Sequence, residues 1–516
     1  MSASIPRIDY PEIVLGFVSP IGADLNPVMS AFREWFESHH YQVEAIRVTG
    51  IFPRLATHIP PGTPLRERPE RDRFQSHIAY GNQIRTYFQD DSILAALTIA
   101  RLVRRRLKVS TEGQEFTRTV YLLNQFKREE EIELLRSVYG QSFFQISVYS
   151  RRGARVDYLS RRFANSENQA VSPRFRAAAE DIIQTDEHED GERHGQRVGR
   201  IFHDADMIVS LDDPGQDARV QAKRFCSLLF SDNRVSPTRL EYGMFAAKGA
   251  ALRTLDLSRQ VGAAIFTGGG DIVALGCNDV PRAEGGLYWA GDEFDDREFR
   301  RGHDSNDRRK REILAELGAA MGWPGDSDSW LNHPGVRASQ FMDALEYGRV
   351  VHAEMSAITD AARLGRSLAG STLYCTTFPC HMCAKHIVAA GIKRVVFLEP
   401  YPKSLASELH GDSLRVEDTD RGAYQRFPAV SFEHFHGITP RRYRELFERG
   451  RRKAADGSLQ THAGGKPRPV IDIRVPFYMH LERIILEQLS QLPDDVIAEP
   501  ADTGSGTGTG TAPGTD

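Results

Sequence analysis

Apolar runs and turn signals divide the first 235 residues into alternating strands and helices. Residues 13–18 read as a wholly apolar strand, and a Gly- and Pro-containing turn separates it from a predicted helix over 26–39. An apolar strand over 120–123, a charged helix over 129–139 and strands over 144–148 and 207–211 continue the alternation. Strands that alternate with helices predict a parallel sheet covered by helices. Between 150 and 200 the chain is rich in Arg, Glu and Asp without a clean period, and it reads as loops with one or two helices.

Near residue 236 the pattern changes. An amphipathic helix over 240–251 is followed by a hairpin, 262–266 and 272–276, around the turn Gly268-Gly269-Gly270-Asp271. Residues 281–345 are polar, with recurring Gly, Asp and Arg, and read as an insertion. Beyond them the chain predicts helix 351–364, strand 371–376, helix 380–391 and strand 394–398. The expected organisation is therefore a first domain over 1–235, a second over 236–480 interrupted at 281–345, and a disordered tail over 497–516 whose Gly/Thr repeats bury nothing.

Composition narrows the function classes. Lys and Arg number 66 against 70 Asp and Glu, a net charge of −4, so the chain lacks the basic excess of a dedicated nucleic-acid binder. Ten of the 66 basic residues are lysines, and none precedes Lys108. Basic runs at 101–108 and 441–453 are interspersed with apolar and acidic residues, and read as solvated helix faces. No window approaches the apolar length of a membrane span and the N-terminus lacks a signal-peptide pattern, so no membrane partner and a cytoplasmic location are expected. Five cysteines are too few and too clustered for a disulfide framework; three fall at 375, 380 and 383.

Those cysteines lie downstream of His352-Ala353-Glu354, and Pro379 precedes Cys380-His381-Met382-Cys383. His352, Cys380 and Cys383 offer Zn2+ one imidazole and two thiolates and leave the fourth tetrahedral position open, as catalysis at zinc requires. Cys380 and Cys383 share one face at a helix start, where the helix N-terminus favours thiolates. Glu354, two residues past His352, is too close to ligate the same ion and is placed to exchange protons with water there. The pattern H-x-E…P-C-x-x-C is that of zinc deaminases of cytosine and adenine. A structural zinc knuckle or a redox pair would need neither the Glu nor the Pro. Cys226, Cys277 and His386 read as structural residues, Cys375 as a small buried strand residue and His381 as a surface helix residue.

The stretch 380–397, CHMCAKHIVAAGIKRVVF, resembles deoxycytidylate-type deaminases, as do 260–265 and Gly276-Cys277-Asn278. That resemblance implies substrate binding by Asn278, near the sugar, and by Ser258 and Arg259, near the phosphate. For Asn278 a turn residue after a strand is the other reading, and residues 399–404 either close over the nucleotide or form a plain loop.

The segment Gly16–Asp24 sits between strand and helix, where a phosphate loop would, with Gly16 and Gly22 as candidate nucleotide-binding residues. It carries Ala23 and Asp24 where G-x-x-x-x-G-K-[ST] needs Lys and a hydroxyl, and a tight turn explains the glycines equally well. The fold class expected is α/β, with an N-terminal P-loop kinase-like parallel sheet that has lost phosphoryl transfer and a C-terminal cytidine deaminase-like α/β/α domain. This pairing resembles the bacterial anti-phage dCTP deaminase family. The resemblance implies deamination of dCTP to dUTP, with dCMP a second substrate, as antiviral depletion of the dCTP pool. A homo-oligomer and an inhibitory regulator, RNA or protein, are the further partners expected. A housekeeping dCMP deaminase and a nucleic-acid cytidine deaminase are the alternatives.

Overall fold

The computed structural model describes residues 5–109, 116–187, 189, 192, 194–212, 217–400, 404–417, 419–493 and 496. The tail 497–516 and Tyr401, Pro402 and Lys403 of the 399–404 loop lie outside the described residues. The chain forms two compact units, the first from 1–204, 213–231 and 466–516, the second from 205–212 and 232–465. The division is thus discontinuous in sequence: 205–212 group with the second unit and 466–480 with the first.

In the first unit the apolar runs become buried parallel strands. The elements are β1 (Ile13–Val18), α1 (Asn26–Ser38), β2 (Gln42–Arg47), α2 (Ile93–Val109), β3 (Thr119–Asn124), α3 (Glu129–Tyr139), β4 (Phe143–Tyr149), α4 (Arg152–Ser166) and α5 (Pro173–Glu187). The strands lie in the order β4-β1-β3-β2, each pair parallel. All six residues of β1 are buried, as a central strand covered on both faces requires. Helix α3 has the predicted bounds. Strand β2 escapes the sequence reading because it is an edge strand with a single buried residue, Ile46, and so carries no apolar run.

The solvated basic face expected at 101–108 holds for Lys108, which is exposed, and fails at two arginines. Arg101 and Arg106 are buried, and Arg106 lies between the carboxylates of Glu12 and Glu482 at 2.9 and 2.7 Å. The hydroxyls of Tyr121 and Tyr478 donate to Glu12, and that of Tyr139 to Glu482. This network ties the helix Tyr478–Gln488 to α2 and β1. A charge whose partners lie 94 and 376 residues away looks like a surface charge in a one-dimensional reading.

The second unit holds β5 (Met207–Ser210), α6 (Arg239–Ala251), β6 (Gly262–Phe266), β7 (Ile272–Cys277), α7 (Ser305–Met321), α8 (Ala353–Arg363), β8 (Thr372–Thr377), α9 (His381–Ala389), β9 (Arg394–Glu399), β10 (Leu414–Val416), β11 (Val430–His434) and β12 (Gly437–Ile438). Its main sheet has the order β10-β11-β9-β8-β6-β7. The predicted hairpin β6–β7 is antiparallel, β6 runs antiparallel to β8, and β8, β9, β11 and β10 are parallel. Short β5 pairs antiparallel with β12. The α/β class expected for both halves is the one observed.

Helix α8 packs against β7 so closely that a Cβ on Gly276 would overlap the carbonyl of Ala353 and the amide of Ala357. The small side chains Ala353, Ala357 and Ala361 form the buried stripe that permits this approach. Gly276→Ala should therefore destabilise the second unit by about 1–3 kcal/mol, the usual cost of overpacking. A lowered urea midpoint checks this; an unchanged midpoint would show that α8 has room to move.

Candidate functional site

The site begins at two helix starts. His352 and Cys380 are the N-cap residues of α8 and α9, both in extended conformation, and neither side chain caps its own helix. Glu354 and Cys383 follow in the first turns. Two helix N-termini thus meet at one point, and their unpaired N–H groups favour negative charge there. Strand β8 and the turn Phe378-Pro379 deliver α9, and β7 supports α8.

His352, Cys380 and Cys383 come together: their donor atoms lie within 4.8 Å of one another. Each sulfur approaches His352 Nδ1, Cys380 Sγ at 3.3 Å and Cys383 Sγ at 3.4 Å. A tetrahedral zinc with bonds of ~2.3 Å to sulfur and ~2.0 Å to nitrogen would separate S from N by ~3.5 Å. The triad therefore fits zinc by donor chemistry and by spacing.

With no ion between them, the three donors polarise one another. The hydrogen bond from Cys383, and next His352, push Cys380 down to about 4, while Cys380 raises His352 to about 9. Cys383 is pushed up, first by Cys380 beside it and then by burial. Glu354 is buried, and burial raises its carboxyl above the usual range against the opposing pull of His352. Cys375, a fully buried strand residue as expected, lies against Glu354, a contact that its place mid-strand gave no reason to anticipate. His386 is exposed on α9 and is not among the grouped donors.

A cavity of about 300 Å3 opens on this centre, and Asn278, Ser258 and Arg259 all line it with His352, Glu354 and Cys380. Asn278 is buried and its amide is spent on the protein: Oδ1 accepts from the Val261 amide, and Nδ2 donates to the Arg259 carbonyl and to Asp256. Ser258 Oγ donates to Asp256 Oδ2 at 2.5 Å. Arg259 is half-exposed and pairs with Glu399 at 3.5 Å, whose other oxygen accepts from Thr377. Asp256 is thus the organiser of this loop, a residue the sequence reading missed because nothing in its spacing marks it. The insertion supplies the remaining wall: Glu298, Asp304, Asp307 and Lys310 line the same cavity. Polar composition set 281–345 apart from the core, and could not show that its residues line the cavity.

Gly16 and Gly22 lie in the first unit. A side chain at Gly16 would meet the ring of Phe143, and Gly22, at φ +92°, abuts Arg155. No lysine is near this loop in sequence, yet Lys127, just beyond β3, reaches it and donates to the Ser19 carbonyl at 2.9 Å. Lys127 also pairs with Asp186 at 2.7 Å, and Asp186 Oδ2 accepts from the Ile21 amide at 2.6 Å. Burial lowers the lysine and raises the aspartate, each opposed by the other's charge. A protein carboxylate thus occupies a loop amide that a phosphate would need. Asp24 accepts from the Asn26 amide at the start of α1.

Two outcomes follow from these geometries. Zinc should bind at one ion per chain, and metal analysis of His352→Ala and Cys380→Ala should show its loss; stoichiometric zinc in both variants would remove the assignment. The full chain with ATP or GTP and magnesium should release no phosphate above background. Phosphate release that Gly22→Ala abolishes would reverse that reading.

Comparisons with known proteins bear on the second unit. Residues 237–399 match the family model described as the cytidine and deoxycytidylate deaminase zinc-binding region. The deoxycytidylate deaminase of Enterobacteria phage T4 is 50% identical over 54 residues, which are 10% of this chain and 28% of that protein. The probable deoxycytidylate deaminase of Drosophila melanogaster is 37% identical over 105 residues, 19% of this chain and 51% of that one. For the deoxycytidylate deaminase of Mus musculus the values are 29% over 158 residues, 31% and 63%. The chain thus spans between about a quarter and two thirds of the length of these relatives. The crystal structure of dCMP deaminase from the cyanophage S-TIM5 in apo form aligns over 39% of this chain and all of that one, at 19% identity and a TM-score of 0.22. Among the described residues no helix is long and apolar enough to cross a membrane. Residues 237–399 are thus similar to the zinc-binding region of the cytidine and deoxycytidylate deaminases, and within them His352, Cys380 and Cys383 are where a zinc ion fits.

Proposed function

We propose that this chain is a zinc-dependent deaminase of deoxycytidine nucleotides that converts dCTP to dUTP and accepts dCMP as a second substrate. The observation that carries the reading is the buried carboxylate of Glu354 in one cavity with a three-donor zinc site. Zinc, when bound, supplies a nucleophile at neutral pH by lowering the pKa of water. The chain's own part is proton transfer. Glu354 takes one proton from the attacking water and delivers it to N3 of the ring, then carries the second, from the hydroxyl now on C4, to the amino nitrogen, so that the C–N bond breaks, ammonia leaves and a carbonyl remains. Burial raises the Glu354 carboxyl above the usual carboxylate range, the direction expected of a group that must both accept and donate. His352, Cys380 and Cys383 act as the ligands, and Asn278, Ser258 and Arg259 shape the loop that receives sugar and phosphate.

In the cell, deamination of dCTP would starve an infecting DNA phage of a precursor. The first unit, lacking phosphoryl-transfer residues, would restrain the second. A housekeeping dCMP deaminase is the second reading, and the names of the curated relatives favour it.

Ammonia release from dCTP, dCMP, CTP and a cytosine-containing oligonucleotide separates these readings. Faster turnover of dCTP is the expected result; dCMP alone would select the housekeeping enzyme, and the oligonucleotide alone a nucleic-acid deaminase. Glu354→Gln should keep zinc and lose turnover by ~10²–10⁴-fold. Near-normal rates would move the proton shuttle elsewhere. The same variant should fail to protect bacteria from phage or to lower their dCTP.

A further inference from the structure

We propose that Lys310, in the insertion, binds the phosphates of the nucleotide in the deaminase cavity; this rests on the nucleotide-deaminase reading above. Lys310 sits on the second turn of α7 and lines the cavity shared by His352, Glu354 and Cys380. Its side chain is 7% exposed. A chain that uses Arg at 56 of its 66 basic positions has buried one of its ten lysines at this wall. An ammonium carries three N–H donors. One goes to the Met342 carbonyl at 3.1 Å and one to Asp307 Oδ1 at 2.8 Å, which leaves the third for the cavity.

The other charges of the wall are committed elsewhere. Asp304 caps α7 by accepting from the Asp307 amide, Glu298 accepts from the Ser305 hydroxyl, and Arg349 donates to the carbonyl and carboxylate of Asp296. Asp307 differs from these: its side chain is 66% exposed, so it can turn to water at little cost when a stronger anion arrives. The first turn of α7 faces the same cavity and adds the positive end of a 17-residue helix. Lys310 is therefore held in place by a carbonyl and neutralised, in the absence of substrate, by a carboxylate that a phosphate can displace.

The two residues should respond with opposite signs. In the zinc-loaded full chain, KM is measured for deoxycytidine and for whichever of dCTP and dCMP turns over better. Lys310→Met keeps the length of the side chain and should raise the ratio of nucleotide KM to deoxycytidine KM by ~10–100-fold, the scale of a lost charge-assisted hydrogen bond. Lys310→Arg should recover most of that ratio. Asp307→Asn removes the competing carboxylate and should lower the nucleotide KM. A residue that merely pins α7 to the 342 turn would raise both KM values together on Lys310→Met and leave them unmoved on Asp307→Asn, and either result overturns the proposal. Should Lys310→Met fail to fold, Asp307→Asn decides alone. A wild-type chain that releases ammonia from none of the three compounds refutes the deaminase reading itself, and the role of Lys310 with it; ammonia release with an unmoved ratio refutes only Lys310.

Discussion

A buried carboxylate beside two thiols and an imidazole holds together only if positive charge is supplied at the same point. Glu354 lies out of water, within reach of Cys375, Cys380 and Cys383. The protein supplies part of that charge through the N-termini of α8 and α9, which meet with His352 and Cys380 as their first residues. A zinc ion held by His352, Cys380 and Cys383 would supply the rest. The remainder of the second unit is arranged to make the meeting possible. Gly276 lets α8 lie directly on β7, and the alanine stripe of α8 fills the contact without pushing it away.

The same requirement extends to the cavity walls. Asp256 gathers Asn278, Ser258 and the 256–259 backbone into one hydrogen-bonded loop, so these cavity-lining residues are held by a carboxylate that itself lines the cavity. The same cavity is lined by Asp307 and the buried Lys310 of α7, with Asp304 at its N-cap. Asp304, Glu298 and Asp307 each have a backbone, hydroxyl or ammonium partner, which offsets the charge of these carboxylates.

In the first unit, burial of charge serves structure. Arg106 is held by two carboxylates, and three tyrosine hydroxyls complete their hydrogen bonds. Breaking such a set by removing one member leaves charge stranded in the interior, which is why buried pairs persist even where their net gain is small. The Lys127–Asp186 pair follows the same rule and fills the loop after β1 from within. That loop has the position of a phosphate-binding turn and an internal carboxylate as its ligand.

The sequence by itself determined the local chemistry: the ligand triad and Glu354 from H-x-E and P-C-x-x-C, because metal ligation needs fixed donor types at fixed spacings on helix starts. It also determined the central strands β1, β3 and β4 and helix α3, because burial on both faces leaves an apolar run and solvation of one face leaves a period. Tertiary structure alone decided everything that depends on partners far apart in sequence. Strands β2, β10 and β11, short or at a sheet edge, carry too little apolar signal to be read singly. Arg106 reads as a surface charge until Glu12 and Glu482 surround it, and the loop at Gly22 reads as lacking a lysine until Lys127 arrives from β3. The insertion reads as polar filler until α7 brings Lys310 to the zinc cavity. Spacing along a chain records which atoms can share a helix turn; it does not record which distant charges must be buried together.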